Sequence, residues 1–408
     1  MAGFTWKRLL WGIGVPGLLL LLGSGTPFSL LAQFATSERI SQPEFWPTQT
    51  RYPRDSYAGA QACASCHKQI FDSAEQTSMA HTAMHASESG ILRENPDLTF
   101  DRGRYHYDIR TADGTSIYTV MNGQNEESAQ LAWAFGTDRV AQSWLFKKKD
   151  GEFYEVRVTY FKTLKGLDST PGRALNAPEN VEEAMDRQIG RAEVYTCFGC
   201  HTTASGMGSN FEEAKLIPGI SCEACHGPGR AHIDAMEGAP ADKAAKSQPD
   251  TNTREAIFSP KKLTPEESVD FCGSCHGSYW DISLAGSNGP NNARFQPYRL
   301  EQSKCWNKND ARLTCIACHD PHKQVDSVAA DYDHVCLSCH LTGAAGSRLT
   351  AVRANSAHPD SNHPGAACPV AKNDCTSCHM PEVYVPVMHR SFPDHRIRIV
   401  REGDQFPD

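Results

Sequence analysis

Seven copies of the pattern C-x-x-C-H run through the 408 residues of this chain. Two cysteines three positions apart lie on one turn of chain, so their thiols reach the two vinyl groups of one porphyrin. The histidine that follows then lies under the iron as its proximal ligand. The sequence therefore predicts seven covalently attached c-type haems. The residues concerned are Cys63, Cys66, His67, Cys197, Cys200, His201, Cys222, Cys225, His226, Cys272, Cys275, His276, Cys315, Cys318, His319, Cys336, Cys339, His340, Cys375, Cys378 and His379.

Structural zinc and redox dithiols are the alternative uses of paired cysteines. A zinc ribbon pairs two C-x-x-C units but has no reason to place a histidine after every second cysteine. A thioredoxin-like motif does not recur seven times in one chain. The repeated histidine therefore favours haem at all seven places.

The sixth ligand of each iron decides between an electron carrier and a catalyst. An iron held on both faces changes oxidation state with little rearrangement, whereas an open face binds a small molecule. Ten histidines remain beyond the motifs, enough for every iron to have two. The predicted distal ligands are His81, His232, His322, His389 and His395. His85, His334, His358 and His363 are further candidates, Met79 competes with His81, and His106 is interpreted as an ordinary strand residue.

Short turns place two of these histidines just after a motif. In Gly227-Pro228-Gly229 the chain turns away from the third motif, so His232 is expected to reach the iron of a neighbouring haem. His322, in Asp320-Pro321-His322, repeats the device in shorter form after the fifth motif. His81 and His85 are expected on one face of a helix because they are four residues apart.

Cys305 and Cys368 lie outside the seven motifs. An oxidising compartment permits a disulfide between them. Two unpaired thiols are the alternative, and the sequence leaves both open.

Residues 1–32 carry the features of an export signal. Lys7 and Arg8 precede an apolar run, and small residues follow it, which is typical of a cleaved signal peptide. An uncleaved N-terminal anchor is the alternative and would be the chain's membrane contact. Both place the following residues in the periplasm, with residues 33–56 as a linker.

The spacing of the motifs suggests two regions. Residues 57–196 are expected to form a single-haem module, and residues 197–408 a six-haem region. Between the first two motifs, Ala112-Asp113-Gly114 and Lys149-Asp150-Gly151 separate alternating apolar runs, which indicates hairpins within about residues 98–165. The expected fold is a multihaem cytochrome c fold, mainly short α-helices and irregular loops around haems with a small antiparallel β insertion.

The formal net charge of −8 argues against a nucleic-acid partner, which requires a basic face. The expected partners are a redox protein donor and acceptor, and a membrane cytochrome on the quinol side is one candidate.

The order of the motifs resembles a known family. A CHGPG-x-x-H unit, then CHDPH, then a closing CHMP with Asp-His-Arg downstream, is similar to periplasmic multihaem cytochromes of the cytochrome c-552/c-554 type. These look related to the pentahaem nitrite reductases and octahaem hydroxylamine oxidoreductases. The resemblance implies closely packed haem pairs that pass electrons along a chain. The chain departs from the nitrite reductases because no motif ends in lysine.

An electron carrier with seven haems is the function that these features favour. The alternative is a reductase or oxidase of a small nitrogen or sulfur compound at one five-coordinate haem. The β region either docks a partner or caps the first haem.

Overall fold

The computed structural model describes residues 52–172, 177–204, 211–238, 257–325, 328–340, 368 and 370–407. The expected signal segment, nearly all of the linker, His358 and His363 lie outside these residues. No helix among the described residues is long and apolar enough to cross a membrane.

An antiparallel sheet of ten strands fills the region between the first two motifs. Its order is β10, β7, β6, β5, β4, β3, β2, with β1 paired to β5 and β8 joining β6 to β9. The strands are β1 Ala83–His85, β2 Asp97–Arg102, β3 Tyr105–Ala112, β4 Thr115–Asn122, β5 Asn125–Gly136, β6 Ala141–Lys147, β7 Phe153–Val156, β8 Val158–Phe161, β9 Gly166–Ser169 and β10 Asp186–Gln188.

The two predicted hairpins are confirmed. Asp113 and Gly114, with φ of 51° and 75°, form the tight turn between β3 and β4, since Asp-Gly tolerates two left-handed residues. The expectation of a small insertion is wrong, because the sheet extends from Ala83 to Gln188. Its outer strands β1, β9 and β10 are three or four residues long and lack an alternating apolar run, so they form only by pairing with longer strands.

Both faces of the sheet are buried at strand β6. Neighbouring residues of a strand point to opposite faces, so Trp144 and Phe146 of β6 enter one core while Leu145 enters the other. Helix α3, Val181–Met185, closes the first core. Val194 and Phe198 close the second core from α4, Arg191–His201, which carries the second motif. The sheet therefore fixes the position of one predicted haem site.

Short helices form the rest of the described chain. They are α1 Ala60–Ala74, α2 Gly90–Glu94, α3 and α4 as above, α5 Cys222–His226, α6 Arg230–Met236, α7 Pro265–His276, α8 Tyr279–Ala285, α9 Gln296–Glu301, α10 Cys315–Cys318, α11 Asp333–His340 and α12 Cys375–His379. Two small hairpins add β11 Thr202–Ala204 with β12 Ile217–Pro218, and β13 Glu382–Val385 with β14 Arg390–Pro393.

The helix expected to hold His81 and His85 is absent from the structure. Met79–His81 forms one 3₁₀ turn and Ala83–His85 is strand β1. Pairing of Ala83 with Phe135 of β5 draws this segment into the sheet. The two histidines therefore do not share a helical face.

Ser89 provides a test of the packing between the sheet and helix α2. Its hydroxyl accepts from Leu92 N at 3.2 Å and donates to Gln142 Oε1 at 2.6 Å, and the residue is buried. Ser89→Ala is expected to lower the free energy of unfolding by about 1–2 kcal/mol. Denaturant titration measures the loss, and exposed Ser87→Ala is the control, expected to change little. Equal effects of the two changes would contradict this account.

Candidate haem-attachment sites

Each predicted attachment motif lies on a helical turn. The third motif is helix α5, the seventh is α12, and the cysteines of the fifth span α10. The first motif lies inside α1, and the second, fourth and sixth end α4, α7 and α11. The two thiols of each motif thus point from one turn of chain, as thioether attachment to a single porphyrin requires.

The ring nitrogens of three motif histidines are oriented by backbone carbonyls. Nδ1 donates to Thr82 O at 3.2 Å in His201, to Phe258 O at 2.9 Å in His226 and to Arg398 O at 2.8 Å in His379. A hydrogen bond at Nδ1 fixes the tautomer and leaves Nε2 as the free lone pair for a metal. These three rings are therefore prepared for ligation through Nε2.

The rings of His226 and His322 lie next to each other in nearly parallel planes. Their centroids are 6.2 Å apart and their planes differ by 6°. His322 Nδ1 donates to Asp320 Oδ1 at 3.1 Å. Thus the histidine that follows the fifth motif lies opposite the proximal histidine of the third.

A second pair joins the fifth motif to the C-terminal segment. His319 and His395 have ring centroids 6.3 Å apart, and His395 Nδ1 donates to Pro393 O at 3.0 Å. Burial lowers the pKa of His395 to about 4, so the ring is neutral at pH 7, the form that binds metals.

The spacing of both pairs fits one metal ion between two imidazoles. A metal–imidazole bond is about 2.0–2.1 Å and the ring centre lies about 1.1 Å behind the bonding nitrogen, so centres on opposite sides are about 6.3 Å apart. The donor set of two histidines beside a pair of cysteines is that of a c-type haem. The residues present therefore fit the cofactor.

His232 lies near His67 of the first motif. Burial, and then the charge of nearby His67, lower the pKa of His232. Its Nδ1 is buried without a hydrogen-bond partner. The turn after the third motif, in which Gly227 has φ of 74°, thus brings His232 toward a different motif.

The other two predicted distal ligands have Nε2 engaged elsewhere. His81 Nε2 donates to Glu75 O at 2.8 Å. His389 Nε2 pairs with Asp168 Oδ2 at 2.9 Å, and its ring meets the edge of Phe161. The structure does not bring either of them opposite a motif histidine.

The remaining described candidates occupy varied sites. His85 packs on Trp133 with ring centroids 4.2 Å apart, and His106 in β3 bonds Asp101 at 2.7 Å. His334 Nδ1 donates to Asp331 O at 2.9 Å, which leaves its Nε2 open.

Cysteines of different motifs lie close to each other. Thiols lie close enough to shift each other's pKa in four pairs that join the first motif to the third, the second to the fourth, the fourth to the fifth and the sixth to the seventh: Cys63 with Cys222, Cys200 with Cys275, Cys272 with Cys315, and Cys336 with Cys375. Cys225 lies near Cys272, and Cys318 near Cys336. The motifs thus form one connected set.

Cys305 and Cys368 are free thiols in the structure. Cys305 is half-buried beside Cys336 and Cys339 of the sixth motif, and Cys368 is exposed. Among the described residues, no group of three or more His, Cys, Asp and Glu side chains is arranged to hold a bare metal ion.

A buried ion pair that sequence reasoning missed holds the segment of His395. Arg299 Nε and Nη2 donate to the two oxygens of Asp394 at 2.8 and 2.9 Å, and both side chains are fully buried. Ser303 Oγ donates to His395 O at 3.1 Å. The dipeptide Asp394-His395 does not by itself identify an arginine that lies 95 residues away in the chain.

Glu301, at the end of α9, is half-buried, and its carboxyl lies near Asp270 and Glu266 in the helix of the fourth motif. Burial raises its pKa to about 8, helped by Asp270 and Glu266 of α7. The folded protein therefore binds this proton more tightly than the unfolded chain. Its contribution to stability is fully present below the ordinary glutamate pKa and is lost as the pH rises toward about 8.

Glu301→Gln is expected to make the free energy of unfolding depend less on pH. The unfolding free energy of the original protein should fall between about pH 5 and pH 8, and that of the variant should fall less. Denaturant titrations across this range measure it, with exposed Glu237→Gln as the control. Parallel profiles of the original protein and Glu301→Gln would exclude Glu301 as the source.

Comparison with known proteins shows similarity to multihaem cytochromes. Residues 160–227, which include the second and third motifs, match the family model of cytochrome c554 and c-prime. The chain is 25% identical over 219 residues to the multiheme cytochrome MtrA of Shewanella baltica, a match that covers 50% of this chain and 52% of that protein. It is 27% identical over 179 residues to cytochrome c-554 of Nitrosomonas europaea, covering 40% of this chain and 70% of that one.

The solved structure of the outer cell wall cytochrome OcwA covers 85% of this chain and 80% of its own, at 15% identity and a TM-score of 0.37. A TM-score this low supports no detailed structural correspondence. The chain matches about half the length of MtrA.

Proposed function

We propose that this chain carries electrons along seven covalently attached haems, one on each C-x-x-C-H motif. The matches to cytochromes of this type support a multihaem c-type cytochrome that acts in electron transfer. The haems supply one-electron chemistry at iron. The chain's own residues hold the rings close together, orient the axial histidines and keep water from the irons.

The contacts between cysteines of different motifs are the observation that carries this proposal. Each thioether sulfur lies at a porphyrin edge, so a sulfur contact between two motifs brings two haem edges together. These approaches order the motifs in space as first, third, fourth, fifth, sixth and seventh, and the second motif lies beside the fourth. Electron transfer is fastest between adjacent edges, and this is the order we propose for the haems.

Paired histidines complete three of the irons in this proposal. His67 and His232 ligate the first haem, His226 and His322 the third, and His319 and His395 the fifth. His201, His276, His340 and His379 are the proximal ligands of the others. His81 and His389 remain predictions for those haems, and each would have to exchange its present hydrogen bond for iron.

The domain division remains a proposal. A single-haem module of residues 57–196 and a six-haem region of residues 197–408 meet inside α4, whose Phe198 is packed under the sheet. The sheet therefore serves as a cover for the second motif as well as a neighbour of the first.

The location and the partners are also proposed. Haem attachment at seven motifs and the charged, then apolar N-terminus support export to the periplasm, with or without an N-terminal anchor. The partners would be a redox protein that donates electrons, on the quinol side of the membrane, and another that accepts them.

His322→Ala tests the ligand pairs. The change leaves every attachment motif intact and removes the ring opposite His226, so about one haem per chain should change from low to high spin. Electron paramagnetic resonance of the oxidised protein measures it. His106→Ala, in the sheet, is the control and should leave the spectrum as it was. A spectrum of His322→Ala without new high-spin signal would contradict the pairing.

A pyridine haemochrome assay with intact-protein mass tests the function itself. Seven haems per chain, mostly low-spin, are expected. Fewer haems, or several high-spin irons before any substitution, would count against a continuous seven-haem carrier.

A further inference from the structure

Glu223 lies between the two cysteines of the third motif and is 1% exposed. It is the one charged residue among the fourteen x positions of the seven motifs. A buried carboxylate is costly unless hydrogen-bond donors surround it. Its environment therefore indicates a specific role.

Three backbone amides from two separate segments donate to this carboxylate. Oε1 accepts from Ala58 N and from Gly229 N, each at 2.7 Å, and Oε2 accepts from Gly59 N at 2.8 Å. Bonds from amides to an ionised oxygen are among the stronger hydrogen bonds in proteins. The side chain thus ties residues 58–59 to the turn at Gly229.

Both tied segments lead directly into helices that carry ligands of the first haem. Gly59 precedes Ala60, the first residue of α1, which contains His67. Gly229 precedes Arg230, the first residue of α6, which contains His232. One carboxylate therefore fixes the position where two helices begin: α1, which contains His67, and α6, which contains His232.

The turn itself is shaped to receive the carboxylate. A Cβ at Gly229 would lie 3.2 Å from Glu223 Oε1, so glycine permits the close approach. Cys63 and Cys222 also touch here, which places Glu223 between the first and third motifs.

We infer that Glu223, although part of the third motif, is the positioning residue for both axial ligands of the first haem. The inference rests on the proposed ligation of that haem by His67 and His232. Without the carboxylate, α1 and α6 lose their common anchor and the two imidazoles no longer hold one axis through the iron. Its negative charge also stabilises the oxidised iron and lowers the reduction potential of the first haem.

Glu223→Ala, Glu223→Gln and His232→Ala test the inference, with Glu237→Ala as the matched control. Glu237 is exposed at the end of α6. Haemochrome assays first establish the haem content of each variant. Electron paramagnetic resonance of the oxidised proteins and a potentiometric titration then follow.

Glu223→Ala is expected to give the same high-spin signal as His232→Ala, in about one haem per chain. Glu223→Gln keeps an oxygen in the place of Oε1 but loses the charge. It should therefore retain the low-spin spectrum, while one haem titrates at a higher potential. Glu237→Ala should match the original protein in both measurements.

The variants distinguish a wrong role for Glu223 from a wrong ligand assignment for the first haem. If His232→Ala leaves all haems low-spin, the ligation of the first haem is wrong. If His232→Ala gives a high-spin haem but Glu223→Ala, with full haem content, does not, the role of Glu223 is overturned. If Glu223→Ala does not yield folded protein, Glu223→Gln decides, and an unchanged set of potentials in it overturns the inference.

Discussion

Asp394→Ala is expected to lower the free energy of unfolding by about 3–5 kcal/mol, because it leaves the Arg299 guanidinium buried without its carboxylate. Arg299 and Asp394 are both fully buried and joined by two hydrogen bonds of 2.8 and 2.9 Å. Arg398 Nη1 also donates to Asp394 Oδ2 at 2.6 Å. The variant therefore leaves the guanidinium groups of Arg299 and Arg398 close together without the carboxylate that both of them bind. The other contacts of Arg299, with Gln302 Oε1, Pro407 O and the ring of Phe406, carry no negative charge to neutralise it.

The same change should release the segment of His395. Asp394 Oδ1 accepts from Arg396 N at 3.1 Å, so the carboxylate fixes the chain on the C-terminal side of His395. A partial high-spin signal from the fifth haem should therefore accompany the loss of stability.

Denaturant titration with parallel spectra measures both effects. Asp72→Ala is the control, because Asp72 pairs with Lys68 in an exposed i, i+4 ion pair whose loss should cost at most about 0.5 kcal/mol. Similar losses in the two variants would show that burial of the Arg299–Asp394 pair has no special importance.

The proposed attachment motifs are visible in the sequence because the chemistry that they imply is local. Five consecutive residues determine where the two thiols and the proximal imidazole lie, whatever the surrounding fold. The turns after the third and fifth motifs could be predicted for the same reason, because glycine, proline and aspartate determine the backbone conformation of only a few neighbouring residues. Which motif each of His232 and His322 faces depended on packing between distant segments, and the sequence left this open.

Long-range pairing also explains the errors. His81 and His85 have helical spacing, but Ala83 pairs with Phe135 and the segment becomes a strand. The outer strands of the sheet have weak patterns of their own and form on longer neighbours. Glu223 and Arg299 were missed because their partners lie far away in the chain, at residues 58–59 and 394. The single charge among the x positions was the one sequence signal that pointed to Glu223.

Removal of the fifth haem is expected to divide the proposed electron path in two. The fifth motif approaches the fourth at Cys272 and Cys315, and its Cys318 lies near Cys336 of the sixth. His322, which follows it, reaches toward the third. Of the cysteine approaches between motifs in the described chain, that of Cys318 and Cys336 links the sixth and seventh motifs to the earlier ones. Electron tunnelling falls steeply with distance, so the double variant Cys315→Ser Cys318→Ser should isolate those last two haems.

A photosensitiser attached near the first motif measures this division. Lys68 is exposed beside His67, so Lys68→Cys gives an attachment point, in a background with Cys305→Ala and Cys368→Ser to remove the two free thiols. Repeated flashes should rapidly reduce all seven haems of the otherwise unchanged protein. In the fifth-motif variant the rapid phase should involve only about four of the six remaining haems, those of the first four motifs.

The matched control removes a haem from the end of the branch. Cys197→Ser Cys200→Ser also leaves six haems, but among the cysteine approaches of the described residues the second motif joins the path at the fourth, through Cys200 and Cys275. All six should still be reduced in the rapid phase, because no haem lies beyond the second. Equal rapid amplitudes in the two variants would reject the proposed order, since each has lost one haem and only the position of the loss differs.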